Sequence, residues 1–152
     1  MRALARKCIE DGQVILLIDF SNAFNACNRN LLMKLAAAAM PEISSLVYWL
    51  YAEETELFLS NGEKLISSEG VHKGCGLANL LFALLMRYVM KHIPNKGVSA
   101  KGSYWDDAFT KSTPTAALSI FKAVKRLEEI TGLTPNATKT HIHAPNEKTQ
   151  RV

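Results

Sequence analysis

The chain predicts an α+β domain: an antiparallel sheet with helices packed on one face. Three observations lead there. Residues 13–19 form a short, β-rich apolar run. Two further pairs of strand patterns are separated by turn residues, Asn61-Gly62 and Asp106-Asp107. Between them lie stretches with helical spacing or Leu/Ala content. Strands grouped with intervening helices, without a strict βαβ repeat, give an α+β layout. The predicted order is β-α-α-β-β-α-β-β-α-β.

Residues 1–11 read as the end of a helix stopped by Gly12, and residues 13–19 as a buried strand that delivers Asp19 at its C-terminal end. Residues 29–40 form a Leu- and Ala-rich helix broken at Pro41. A second helix over 42–52 carries Ile43, Leu46, Val47 and Leu50 at helical spacing. Residues 56–60 and 63–68 make a hairpin whose Asn61-Gly62 favours a type I′ turn. Gly70 to Gly76 is a flexible loop feeding an apolar helix over 77–92, closed by Pro94. Residues 98–104 and 108–110 are two strands with Asp106-Asp107 at their turn, although Lys101 and Gly102 weaken the first. Thr113-Pro114 caps a helix that runs to Thr131 and ends at Gly132, and residues 139–143 form a last strand.

At 152 residues, 48% hydrophobic and 21% charged, the composition suits one domain with a real core. Eighteen Lys and Arg against fourteen Asp and Glu give a net charge of +4, compatible with a phosphate-rich partner without requiring one. Cys8, Cys27 and Cys75 are odd in number and widely separated, so neither a disulfide framework nor a structural zinc site is indicated. A reducing intracellular compartment, cytoplasm or nucleus, is the expectation; an organelle transit peptide is left open but unsupported. The apolar run from Ala78 is ended by Arg87, well short of the ~20 residues of a membrane span, and no membrane association is expected.

Asp19 at a strand end, with Asp106 and Asp107 at a hairpin tip, is a donor set able to hold two divalent cations. An Asp-Asp pair alone more often caps a helix or sits solvated in a turn. The surrounding words carry more. They are Leu17-Ile18-Asp19-Phe20-Ser21-Asn22-Ala23-Phe24-Asn25, Gly70-Val71-His72-Lys73-Gly74-Cys75-Gly76-Leu77-Ala78-Asn79, Tyr104-Trp105-Asp106-Asp107 and Gly132-Leu133-Thr134-Pro135-Asn136-Ala137-Thr138-Lys139. In order and spacing these resemble four successive palm motifs of reverse transcriptases, with the closest likeness to LINE-like retroelements without long terminal repeats. The resemblance runs from about Val14 to Thr140, most of the chain.

The resemblance implies a polymerase palm and RNA-directed DNA polymerase chemistry, two-metal nucleotidyl transfer with Mg²⁺ or Mn²⁺ if the chain is active. It implies Asp19 and Asp106 as metal ligands and Asp107 as the auxiliary carboxylate, all three catalytic. Phe20, Phe24, Lys73, Gly74 and Lys139 fall at substrate-binding positions. Phe24 stands where an aromatic ring crowds the sugar 2′-position, or else is a core ring under the loop. Lys73 replaces the family's usual glutamine, and Cys75, Gly76 and Asn79 replace an acid and two prolines, which bears directly on nucleotide positioning. Lys139 is either near the triphosphate or a surface lysine. His141 and His143 alternate on one strand face without a third ligand and receive no role, and Trp105 reads as a packing residue.

Eighteen residues precede Asp19 and thirteen follow Lys139, so residues 1–152 read as a single palm core, with the tip of the fingers and the thumb absent. The implied partners are an RNA or DNA template-primer, a deoxynucleoside triphosphate and a protein supplying the missing parts. The expected function is a reverse-transcriptase-like domain that is inactive or very weak alone. The alternative is a repurposed or decayed retroelement fragment acting as a non-catalytic binding or scaffold module.

Overall fold

The computed structural model describes residues 12–72 and 74–144. The helix end expected over residues 1–11 and the side chain of Lys73 lie outside them. The elements are β1 (Val14–Ser21), α1 (Ala23–Ala26), α2 (Arg29–Ala39), α3 (Pro41–Tyr51), β2 (Thr55–Phe58), β3 (Lys64–Ser67), α4 (Ala78–His92), β4 (Val98–Tyr104), β5 (Asp107–Ser112), α5 (Pro114–Thr131), β6 (Thr134–Pro135) and β7 (His141–His143). The α+β layout is as the sequence predicts. The short α1 and the two-residue β6 are additions, both too brief to carry a periodic signal.

The main sheet runs β4-β5-β1-β6, with β7 also paired to β1, and its pairings are antiparallel. β1 lies inside it because its apolar residues need cover on both faces. Val14, Leu16, Ile18 and Phe20 face a core shared with Leu81 and Leu85 of α4 and with Ala117, Ile120 and Val124 of α5. Strand periodicity then sends Ile15, Leu17 and Asp19 to the opposite face. Register adds Lys111, Phe109 and Asp107 from β5, and His143 and His141 from β7, to that same face. The helices therefore cover one side of the sheet, and the carboxylates stand at one end of the other.

The two residues that weaken β4 as a strand each have a tertiary use. The Lys101 ammonium donates to the carbonyls of Met90 (2.7 Å) and Ile93 (3.1 Å) and to Asn95 Oδ1 (2.7 Å), capping the C-terminal end of α4. At Gly102 a Cβ would come within 2.8 Å of the Phe109 ring across the strand pair, so the glycine gives that ring its place.

The β2–β3 hairpin forms a separate two-stranded sheet, and its turn is not type I′. Type I′ needs positive φ at both central residues, whereas only Gly62 has it, at 85°. Gly62 N–H donates to Leu59 O (3.0 Å) and Leu59 N–H to Glu63 O (2.8 Å), giving a longer loop with the glycine in its left-handed position. Asn61 uses its side chain instead: Oδ1 accepts Glu63 N–H at 3.0 Å. That local bond stabilises a turn without left-handed backbone at the asparagine. At α5 the expected ends hold, with Thr113 Oγ1 accepting Ala116 N–H and Gly132 closing the helix at φ 73°.

Candidate active site

The register of β1 against β5 sets Asp19 directly opposite Asp107. Asp19 turns its carbonyl toward the other edge, where it accepts Asn136 N–H at 2.8 Å. Because N–H and C=O of one strand residue point the same way, Asp19 and Asp107 form a non-hydrogen-bonded pair. This is the closer kind of cross-strand pair, with Cα atoms about 4.5 Å apart. Asp106 does not share the strand register. It occupies the two-residue turn between β4 and β5 with Trp105, whose φ of 54° is uncommon for a bulky L-residue.

The electrostatics follow from this crowding. Loss of hydration, then the charges of Asp106 and Asp19, hold the Asp107 carboxyl above its usual range, and Lys139 partly offsets them. Lys139 Nζ stands 3.8 Å from Asp19 Oδ2, an ion pair longer than a hydrogen bond. Asp19 Oδ2 is itself buried without a hydrogen-bond partner. An Asx-type turn aims the lysine: Asn136 Oδ1 accepts from Thr138 N–H (3.1 Å) and Thr138 Oγ1 (2.8 Å), and Asn136 O accepts from Thr140 N–H (2.9 Å).

Hard carboxylate oxygens suit Mg²⁺ or Mn²⁺, and an orphaned buried oxygen facing a second carboxylate is the environment a divalent cation relieves. Among the described residues no three His, Cys, Asp or Glu side chains form a ready-made metal cluster. Such cations also take ligands from water and substrate phosphate, so two or three protein carboxylates fit the chemistry without a closed cage.

In metal-free buffer, Asp107→Asn is expected to melt about 1–2 °C above the parent at pH 7, a small shift because water screens an exposed carboxyl. A carboxyl whose folded pKa is raised is penalised only when ionised. The difference should therefore vanish below the ordinary carboxylate range, grow as pH rises through it, and be full above the raised value. Melting curves between pH 3 and 7 check this, and a variant equal to or less stable than the parent at pH 7 would count against the repulsion.

The other sequence-selected residues fall unequally. Phe20 is 3% exposed on the helix side, leaving its backbone as the part nearest the site. Phe24 is half-buried, stacked on Phe82 with centroids 4.2 Å apart and 6.1 Å from the Trp105 ring. The ring thus packs on the core through Phe82 and stands beside the Trp105–Asp106 turn. Trp105 packs on Phe24 yet remains 46% exposed. Gly74 lies in an open loop at φ 92°. His141 and His143 share the carboxylates' sheet face further along β1, opposite Leu17 and Ile15.

In the sequence Arg29 marks only the start of a helix. It is 6% exposed, and its guanidinium donates to Gly70 O (Nε, 2.8 Å), Ser67 O (Nη1, 2.7 Å) and Ser67 Oγ (Nη2, 2.7 Å). Gly70 N–H also donates to Cys27 O (2.8 Å), and Val71 N–H to Phe24 O (2.7 Å). These bonds tie the Gly70–Gly76 loop to the segment after Asp19. No local pattern announces such a residue. A cavity of about 820 Å³ lies between the β2–β3 hairpin and this loop, lined in part by Leu57, Leu65 and Val71, and none of the three aspartates lines it.

A family model described as reverse transcriptase (RNA-dependent DNA polymerase) matches residues 3–151. Among solved structures the chain is similar to apo telomerase from Candida tropicalis, with TM-score 0.69 and 12% identity, covering 95% of this chain and 32% of that one. It is also similar to telomerase from Candida albicans in complex with a TWJ fragment of telomeric RNA (TM-score 0.63, 13% identity, 99% and 32% covered). A third is the RNA-dependent RNA polymerase of a human picobirnavirus (TM-score 0.62, 16% identity, 90% and 28% covered). The chain spans about a third of the length of these proteins, and at such identities the likeness shows a shared fold. No curated protein sequence matches it.

Proposed function

The chain belongs to the reverse transcriptase (RNA-dependent DNA polymerase) family, and from that premise we propose that it is the palm core of a template-directed nucleotidyl transferase acting on a template-primer and a deoxynucleoside triphosphate. The observation that carries the reading is the Asp19–Asp107 cross-strand pair beside the Asp106 turn, with one oxygen of Asp19 buried and unsatisfied. Asp19 and Asp106 would hold divalent cations, Mg²⁺ or Mn²⁺, with Asp107 as the auxiliary carboxylate. Cations bound there supply Lewis-acid activation of a 3′-hydroxyl and charge neutralisation at the departing pyrophosphate.

Lys139 Nζ stands 3.8 Å from Asp19 Oδ2, close enough for a cation at that carboxylate to displace it. Freed from Asp19, its ammonium lies on the side where a triphosphate would approach and can give a proton to pyrophosphate. Phe24 walls the sugar side, and Gly74, with Lys73 beside it, leaves the loop open to the nucleotide. The first motif's wording supports a LINE-like subtype, and Lys73, Cys75, Gly76 and Asn79 support weak turnover by the chain alone. A protein partner supplying contacts outside the palm completes the proposal.

The test is Mn²⁺ binding followed by water-proton relaxation, joined to primer extension on RNA and DNA templates. Binding is expected to be weak, to fall at least tenfold in Asp19→Asn, and to persist in His141→Ala/His143→Ala. Unchanged binding in Asp19→Asn with loss in the histidine variant would overturn the assignment. Extension by the chain alone is expected to be negligible. Robust extension abolished by Asp106→Asn/Asp107→Asn would keep the site and reject the weakness. No metal binding at all would favour the non-catalytic module.

A further inference from the structure

The β2–β3 hairpin is left uncovered by the rest of the fold. Its strand residues are exposed except for half-buried Ser67, and no third strand pairs with it among the described residues. A lone two-stranded hairpin is marginal in water and gains stability when an apolar face is covered. The two faces differ. Register puts Glu56 opposite Ile66 and Phe58 opposite Lys64 on one of them. There the Lys64 ammonium stands 2.8 Å from Glu56 Oε2 and 5.1 Å from the Phe58 ring centroid, so this face is held by its own pairs. The other face carries Leu57 directly opposite Leu65, 46% and 52% exposed. That pair borders the cavity of about 820 Å³, which Thr55, Glu69, Val71 and His72 also line.

Charge says what would fill the groove. Residues 53–69 hold five glutamates against one lysine, a net charge of −4 in a chain of +4. Glu56 is taken by Lys64, and Glu63 accepts from the Asn61 amide at 2.9 Å. Glu53, Glu54 and Glu69 make no ion pair among the described residues. Glu69 lines the cavity, and Glu53 and Glu54 immediately precede Thr55, which lines it too. Arg29, bonded to the end of β3, is buried and spends its donors on Ser67 and Gly70. An anionic rim repels phosphate, so nucleic acid is the wrong occupant here. An apolar floor inside an acidic rim matches apolar side chains flanked by cations.

We propose that the groove between the β2–β3 hairpin and the Gly70–Gly76 loop is a protein-docking surface whose occupant is a partner segment carrying apolar side chains flanked by Lys or Arg. The apolar side chains cover Leu57, Leu65 and Val71, and the cations meet Glu53, Glu54 and Glu69. None of the three aspartates lines this groove, so the docking surface stands whichever way the polymerase reading falls.

The experiment titrates the full chain, under reducing conditions, into labelled synthetic peptides of four Lys-Leu, four Glu-Leu or four Lys-Ser repeats, followed by fluorescence anisotropy. The Lys-Leu peptide is expected to bind about tenfold more tightly than either control, since it alone has both the charge and the apolar row. Leu57→Ser/Leu65→Ser should weaken that binding about tenfold. Glu54→Lys/Glu69→Lys changes exposed positions outside the hairpin's own pairs and should weaken it about fivefold at low salt. Asp106→Asn/Asp107→Asn should bind as the parent does. No binding of the Lys-Leu peptide, equal binding of the Glu-Leu peptide, or an affinity unmoved by both hairpin variants would overturn the proposal. A parent dimer in sedimentation that Leu57→Ser/Leu65→Ser dissolves would give the groove to a second copy. Single-stranded RNA binding lost in that same variant would give it to nucleic acid, and either result would overturn the proposal as well.

Discussion

Replacing Gly70 with alanine is expected to lower stability by more than about 3 kcal/mol, the range of strained backbone combined with overpacking. Gly70 has φ 68°, and a Cβ there would fall inside the van der Waals reach of the Asn25 backbone. The neighbour is main chain, so no rotamer change relieves the contact. The backbone is also pinned on both sides: Gly70 N–H to Cys27 O and Gly70 O to Arg29 Nε, each 2.8 Å. At this chain length the loss corresponds to a fall of about 6–12 °C in melting temperature. Gly74→Ala is the control. Its φ of 92° is equally left-handed, but nothing lies within 4 Å, so it should cost only about 1 kcal/mol. If thermal melts place the two variants within 2 °C of each other, the close approach of the two loops is wrong.

Arg29→Ala should follow closely, at about 2–5 kcal/mol, because it strands the carbonyls of Ser67 and Gly70. No carboxylate pairs with this guanidinium among the described residues. Its charge is met by those carbonyls, the Ser67 hydroxyl and the Tyr51 ring face at 5.7 Å. Arg29→Lys should recover less than half of the loss, since a single ammonium cannot reproduce the planar fork that reaches both carbonyls. Hydrogen exchange supplies the local readout. Protection of the Gly70 and Val71 amides should drop in Arg29→Lys more than protection of the β1 amides. Equal loss everywhere would mean that Arg29 serves the whole fold and not the loop.

Both predictions concern the join between the segment after Asp19 and the loop at Gly70, the region that would face a nucleotide. Catalysis by positioning depends on such joins more than on the number of charges present. The departures at Cys75, Gly76 and Asn79 leave these ties untouched: Arg29, Gly70 and the Val71–Phe24 backbone bond hold the loop's root, while its tip carries the altered chemistry.

The sequence by itself determined what short-range physics encodes. The apolar run before Asp19, the Thr113 cap, Pro41 between two helices, Gly132 at a helix end and the hairpin patterns are each set by residues within one turn or one strand of each other. The four motif blocks likewise carried the family. Tertiary structure alone decided what depends on partners far along the chain. It paired Asp19 with Asp107 while leaving Asp106 in the turn, and it set Lys139 beside Asp19. It turned Lys101 into a helix cap and Gly102 into space for Phe109, and it buried Arg29 among carbonyls some forty residues away. A strand's period of two says which residues share its faces, but not which strand lies alongside or in what register. That choice comes from burying Val14, Leu16, Ile18 and Phe20 against α4 and α5 together, a condition that no single segment of the sequence contains.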